Sequence, residues 1–278
     1  MMFRAILAAA LAATAFWSEA HAEGRPKRVV SLNLCTDQLL VALADPEQIL
    51  SLSPLVRDPN ISSLADRASE FPINKGSGEA ILFERADLVL AGSYGTRIRR
   101  DLLVRQGLDV VVLEPWSSVA HGREQIRQLA ARLGHPERGE RLIREIDDAL
   151  HRSQNIVPDG RSILVLLRRG WVPNADSMLN ELLRHMGFTL QQERLGLRRG
   201  GMARLENVVA MPPDYALMGE KADTAVDNGS ALLIHPALLD ALPPARRLYI
   251  PGRLIICGGP STPTMIDMLA AEVRAKVR

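Results

Sequence analysis

The chain has 278 residues, 47% hydrophobic and 24% charged, with 20 glycines and 17 prolines. Those proportions exclude a disordered, collagenous or polytopic membrane protein and leave room for one large domain or two smaller ones. A formal charge of +2, from 34 basic and 32 acidic side chains, is too balanced for a chain whose main partner is nucleic acid, and two cysteines make neither a disulfide scaffold nor a four-cysteine zinc site.

The first element predicted is an export signal. Arg4 supplies a positive start, Ala5 to Trp17 is apolar except for Thr14, and Ala20-His21-Ala22 gives the small-x-small pattern of a cleavage site. At 13 residues the apolar run is shorter than the roughly 20 that a spanning helix needs. A signal peptide over 1–22, cleaved after Ala22, and an exported soluble remainder are therefore expected.

A strand over Arg28–Leu32 follows, then a helix over Asp37–Ala44 with Thr36 as its N-cap. Ile49–Leu52 reads as a second strand. A helix over Gly78–Arg85 leads into a strand over Ala86–Ala91, and a helix over about Thr96–Gln106 leads into a strand over Leu108–Leu113. Continuous apolar strands alternating with helices predict a parallel sheet covered on both faces.

The middle of the chain is helical. Val119–Leu133 is broken by Gly134-His135-Pro136, and Glu137–Ser153 resumes with one apolar stripe of Leu142, Ile143, Ile146, Ala149 and Leu150. Glu137–Arg141, Glu140–Arg144 and Arg144–Asp148 are spaced for pairing along that second helix. Its 17 residues span about 25 Å, enough to reach from one small domain to another. Pro158-Asp159-Gly160 ends this passage, and strands over Ser162–Leu167 and Arg253–Ile256 restart the alternation, the last followed by a tight turn at Gly258-Gly259-Pro260.

The second half echoes the first. Glu79 to Leu90 and Glu206 to Leu217 both read Glu, seven residues, Asp, two residues, Leu. The expected fold is α/β and bilobed: two Rossmann-like lobes with mainly parallel sheets, joined by a long rigid α-helix. The N-terminal lobe covers 23–118, the helical linker 119–158 and the C-terminal lobe 159–278.

Ligands of open parallel sheets bind beyond the carboxyl ends of strands. Tyr94, Trp116 and Trp171 stand in loops directly after predicted strands, where large rings suit a flat or greasy ligand held between two walls. Arg168-Arg169 follows a strand and Arg198-Arg199 sits in the Gly196–Gly201 stretch, and such guanidinium forks can grip anionic groups. Cys35 and Cys257 also follow strands, one in each half. They either pair across the cleft or stay as buried thiols, and the unpaired state is expected because Cα atoms more than roughly 7 Å apart cannot be bridged.

Catalytic signatures are missing. His121, His135, His151, His185 and His235 are scattered without metal-site spacing, and there is no Gly-x-Ser-x-Gly elbow or phosphate-binding Gly-x-x-x-x-Gly-Lys-Ser/Thr loop. The alternative of an exported α/β enzyme using the interlobe cleft needs a nucleophile with a base, yet Ser93 and Thr96 have no histidine in their loop.

Arg28-Val-Val-Ser-Leu-Asn-Leu-Cys-Thr-Asp-Gln-Leu-Leu resembles the opening of the periplasmic substrate-binding proteins of ferric-siderophore and cobalamin (Fe/B12) ABC importers. The two Glu–Asp segments, Leu133-Gly-His-Pro-Glu-Arg-Gly-Glu140 and Cys257-Gly-Gly-Pro260 fit the same family, and the resemblance covers about Arg25 to Val277. It implies a non-enzymatic periplasmic monomer with a shallow cleft that closes slightly, partnered by the transmembrane permease subunits and not by nucleic acid. The implied ligand is a chelate that brings its own metal, a ferric siderophore, cobalamin or haem, so that the protein has no cofactor and supplies no metal ligands. The pocket positions it implies are Leu34, Cys35, Thr36, Tyr94, Arg97, Trp116, Arg168, Arg169, Trp171, Arg199 and Cys257. Glu79 and Glu206 are implied as the permease-docking pair, one on each lobe. The arginine-rich C-terminal half and the low aromatic content favour a ferric chelate with anionic groups over cobalamin.

Overall fold

The computed structural model describes residues 24–93, 97–219, 229 and 231–277. The expected signal peptide and its cleavage after Ala22 lie outside the described residues. The N-terminal lobe runs β1 (Val29–Ser31), α1 (Leu34–Leu43), β2 (Ile49–Ser51), α2 (Gly78–Phe83), β3 (Leu88–Gly92), α3 (Arg97–Arg105) and β4 (Val110–Leu113). Its four strands are parallel in the order β2-β1-β3-β4. Strands β1 and β3 are buried along their whole length, which is why they read as unbroken apolar runs.

Helix α1 begins earlier than expected. Asn33, in an extended conformation, is the N-cap, and its Oδ1 accepts from Cys35 N at 2.9 Å. Thr36 lies inside the first turn instead, its hydroxyl donating to Asn33 O at 2.8 Å and bonded to Ser31 Oγ at 2.7 Å. Asn and Thr both cap helices, and the residue that meets the extended backbone takes the role.

The middle is a hairpin of α4 (Val119–Leu133) and α5 (Pro136–Ser153). Gly134, at φ 82°, provides the left-handed end of α4, and Pro136 opens α5. Leu142, Ile143, Ile146 and Ala149 are buried and Leu150 packs against the core beside them. A Cβ at Gly139 would overlap Ala130, so the glycine lets the two helices approach closely. Two acidic side chains of α5 pair across the hairpin: Glu140 with Arg127 at 2.8 Å, and Asp147 with Arg123. The turn is fixed to the N-terminal lobe, where Gln48 Nε2 donates to Pro26 O at 2.7 Å and Leu133 O at 3.1 Å.

The C-terminal lobe runs β5 (Ser162–Val165), β6 (Trp171–Val172), α6 (Met178–His185), β7 (Thr189–Leu190), β8 (Gly201–Met202), α7 (Leu205–Ala210), β9 (Tyr215–Met218), α8 (Pro236–Ala241), β10 (Arg247–Tyr249), α9 (Gly252–Ile255) and α10 (Thr262–Lys276). Its main sheet, all parallel, has the order β10-β9-β5-β7. Taken from the other edge this is β7-β5-β9-β10, the order of β2-β1-β3-β4. The expected strand over Arg253–Ile256 is helix α9 and the segment after it; the strand is Arg247–Tyr249. Pro251 has no N–H for a ladder and fixes φ at −57° just before the helix, which ends the strand there.

The echo between the halves has a structural basis. Asp87 Oδ2 accepts from Lys27 N at 2.7 Å and its Oδ1 from Arg28 N at 3.0 Å, tying the third strand of the sheet to the entry of the first. Asp214 does the same in its lobe, accepting from Ser162 N and Ser162 Oγ, both at 2.8 Å. The Ser162 N–H bond holds the Asp214 carboxyl below its usual range.

The largest apolar core runs through both lobes by way of α1, α4, α5 and α10, with α5 packed between α4 and α10. Connection therefore rests on a helix pair with a shared core. No helix among the described residues is long and apolar enough to cross a membrane.

Candidate functional site

The carboxyl ends of β1, β3 and β4 face those of β5, β9 and β10 across one cavity of about 1170 Å³. The N-terminal lobe lends Asn33 and Cys35, Gly92 and Ser93, and Leu113 to Trp116, with Pro59-Asn60-Ile61 from the connection after β2. The C-terminal lobe lends Leu167, Arg168 and Trp171 after β5, Gly219 after β9, and Pro251 to Arg253 with Ile255 and Ile256 after β10. Strand order puts these loops together, since strands with equivalent neighbours in two facing parallel sheets all point their carboxyl ends at the same gap.

Cys35 and Cys257 are disulfide-bonded at this cavity, with Cα atoms 5.1 Å apart and a separation of 222 positions in sequence. The expectation of separate thiols is thus overturned. Only the relative placement of the lobes decides that distance, and no local pattern carries it. Beside the bond, Trp116 is 9% exposed, and a Cβ added at Gly122 or Gly258 would overlap its ring. The indole is clamped between α4 and the segment after Cys257, showing only part of itself to the cavity.

Trp171 is the opposite case, 48% exposed. A tight turn after β5 presents it: Gly170 N donates to Leu167 O at 3.0 Å and Leu167 N donates to Trp171 O at 2.8 Å. Gly170 sits at φ 77°, where a Cβ would strike Ala203 O, so the turn requires glycine there. The antiparallel ribbon of β6 and β8 sets Trp171 opposite Met202, itself 52% exposed.

The charged lining is uneven. Arg168 and Arg253 come from the C-terminal lobe, whereas the N-terminal lobe supplies Asn33, Asn60, Ser93 and Glu114, and α4 adds Gln125. Gln125 is oriented by donating to Glu114 O at 2.9 Å and by contact with His121 Nε2 at 2.9 Å. Among the described residues no three His, Cys, Asp or Glu side chains converge on a metal site.

Of the positions expected at the site, Cys35, Trp116, Arg168 and Trp171 line the cavity, and Cys257 lies beneath it, 1% exposed. Leu34 and Thr36 are buried in α1 and outside the lining, because the early start of the helix turns them into its packed side. Arg169 and Arg199 are exposed but outside the lining. Arg169 is displaced by the tight turn, its own φ being 58°. Arg97 opens α3, and Tyr94 lies outside the described residues. Sequence reasoning missed Arg253, hidden inside a segment taken for a strand, and Pro59 to Ile61, which follow no strand directly. Glu79 and Glu206 are exposed in the first turns of α2 and α7, with no ion pair among the described residues.

These features define a bilobed ligand-binding protein whose site lies between two matching sheets. The Periplasmic binding protein family profile matches residues 29–245, and the chain belongs to that family. It is the periplasmic ligand-binding component of an ABC importer. The family's members are non-enzymatic transport components, which removes the exported-enzyme reading. No curated protein matches the chain. Among solved structures, it is similar to the periplasmic heme-binding protein RhuT from Roseiflexus sp. RS-1 in apo form, at 20% identity and a TM-score of 0.70 over 91% of this chain and 99% of that one. A periplasmic heme-binding protein from Pseudomonas aeruginosa gives 18% identity and 0.71 over 91% and 94%. A periplasmic binding protein from Veillonella parvula dsm 2008 gives 14% and 0.70 over 91% and 93%. At these identities the likeness speaks for the fold.

Proposed function

We propose that the cleft captures a metal chelate that arrives with its metal already coordinated, and that its first choice is a ferric chelate with anionic groups. The observation that carries this reading is the composition of the cavity: apolar walls with an exposed indole at Trp171, and two guanidinium groups, Arg168 and Arg253, on one side. A space of about 1170 Å³ exceeds the roughly 300–1,000 Å³ of ordinary small-molecule pockets and suits a bulky chelate. Haem is the second reading, supported by the names of the Roseiflexus and Pseudomonas structures; a corrinoid is the third. Tryptophan emission titrated with ferric siderophores of different charge, haemin and cobalamin tests this. Saturable quenching by an anionic ferric chelate is expected, and failure of every compound to quench would overturn the reading.

Delivery is assigned to Glu79 and Glu206. They occupy equivalent helices, α2 and α7, of two lobes with the same strand order, so each lobe offers one exposed carboxylate in a matching place. Glu79→Lys combined with Glu206→Lys is expected to abolish uptake and leave chelate affinity unchanged. Normal uptake by the double variant would remove the docking role.

A further inference from the structure

We infer that the Cys35–Cys257 disulfide is a thiol–disulfide exchange site in the floor of the cleft, and that reduction by a dithiol opens the joint between the lobes at that point. This goes beyond ligand capture and does not depend on which chelate binds.

The bond is misplaced for a purely structural staple. A continuous core already unites the lobes through α1, α4, α5 and α10. The disulfide instead lies on the cavity wall, with Cys35 half-buried and lining the cavity, and Cys257 1% exposed beneath it. Cys35 is thus the more accessible partner and Cys257 the shielded one, an asymmetry that directs exchange to a single sulfur.

What the bond holds shut is poorly satisfied. Trp116 Nε1, Ser261 Oγ and both polar atoms of the Gln38 amide are buried without a hydrogen-bond partner among the described residues. Gln38 belongs to α1 on one side of the bond, Ser261 precedes α10 on the other, and Trp116 is wedged against Gly258, the residue after Cys257. Buried polar groups left without partners cost free energy that water would relieve. A joint containing several such groups favours opening once its covalent tie is released.

In the exchange, a thiolate of the dithiol attacks Cys35 Sγ, forming a mixed disulfide while Cys257 leaves as a thiolate and takes a proton from water. The second thiolate of the reductant then attacks the reductant's own sulfur in that mixed disulfide and releases Cys35 Sγ. The cystine gains two electrons and two protons, and the dithiol becomes a disulfide.

The test uses Trp171→Phe protein beginning at Glu23, so that Trp116 is the remaining tryptophan. Treated with dithiothreitol without denaturant, the chain is expected to alkylate with iodoacetamide at Cys35 before Cys257 and to keep its far-ultraviolet circular dichroism. Iodide quenching of Trp116 is expected to rise roughly twofold or more on reduction as the joint becomes accessible. Cys35→Ser with Cys257→Ser should match the reduced chain with no reductant present. Alkylation only in denaturant, loss of the fold on reduction, or equal quenching of oxidised and reduced chains would overturn the proposal. If the double variant does not fold, the oxidised and reduced parent chains decide by themselves.

Discussion

The two lobes share a scaffold and differ in what they present to the cleft. Both set their strands in the order second, first, third, fourth, and both use an aspartate before the third strand to hold the entry of the first, Asp87 in one and Asp214 in the other. Both also bury a polar side chain early in the helix after the first strand and tie it to the segment after the second. Asp37 accepts from Ser53 N at 3.0 Å and Ser53 Oγ at 2.5 Å, and Asn180 Nδ2 donates to Gln192 Oε1 at 3.0 Å. The strand ends then part company. The N-terminal lobe offers amides, a hydroxyl, the Glu114 carboxylate and a clamped indole; the C-terminal lobe offers an exposed indole and two arginines. The repeated features are those that close a sheet, and the side chains that line the cleft are not repeated.

The largest effect expected from breaking this comparison concerns the buried pair. Burial pushes the Asp37 carboxyl up to about 6 from 3.8, against the opposing hydrogen bonds from Ser31 and Ser53. Between those values the folded chain holds a proton that the unfolded chain has lost. Asp37's contribution is therefore most favourable below pH 3.8 and declines as pH rises to about 6, by about 3 kcal/mol over the whole window. Asp37→Asn, an isostere that can still accept from Ser53 N, is expected to remove that slope in urea midpoints measured across the window. Asn180→Asp should introduce a second slope of the same sign in the C-terminal lobe, and unchanged pH profiles in both variants would show that the pair is not equivalent.

Next in size is the charge asymmetry of the cleft. Arg168→Ala is expected to weaken the chelate identified by quenching about tenfold, the loss of one charge-assisted hydrogen bond, whereas Asn60→Ala on the facing lobe should cost no more than about threefold. Equal losses in the two variants, read by the same titration, would mean that both lobes grip the cargo alike. The smallest effect tests the repeat itself. Asp87→Ala and Asp214→Ala should each destabilise by about 1 kcal/mol in chemical denaturation, and a large inequality would show that the two ties do different work.

Much of the scaffold was legible in the sequence because it is local. Strands β1 and β3, buried on both faces, are continuous apolar runs, and Gly134 with Pro136 marks the hairpin between α4 and α5. What the sequence withheld depends on distant neighbours. Trp116 and Trp171 are the same residue type, both shortly after a strand. One is clamped because Gly122 and Gly258 leave room for its ring, and the other stands out because a ribbon of two-residue strands presents it. The disulfide depends on how two lobes meet, and Arg253 was missed because Leu-Ile-Ile after it mimics a strand that Pro251 had already ended.

Hydrogen exchange by mass spectrometry, with and without the chelate that quenches tryptophan emission, tests the face-to-face cleft most directly. The account predicts slowed exchange in backbone from both sides at once, around Asn33 to Leu39 and Leu113 to Trp116 in one lobe and around Leu167 to Trp171 and Gly252 to Gly258 in the other. Slowing confined to a single lobe, or found only on the outer helices, would contradict it.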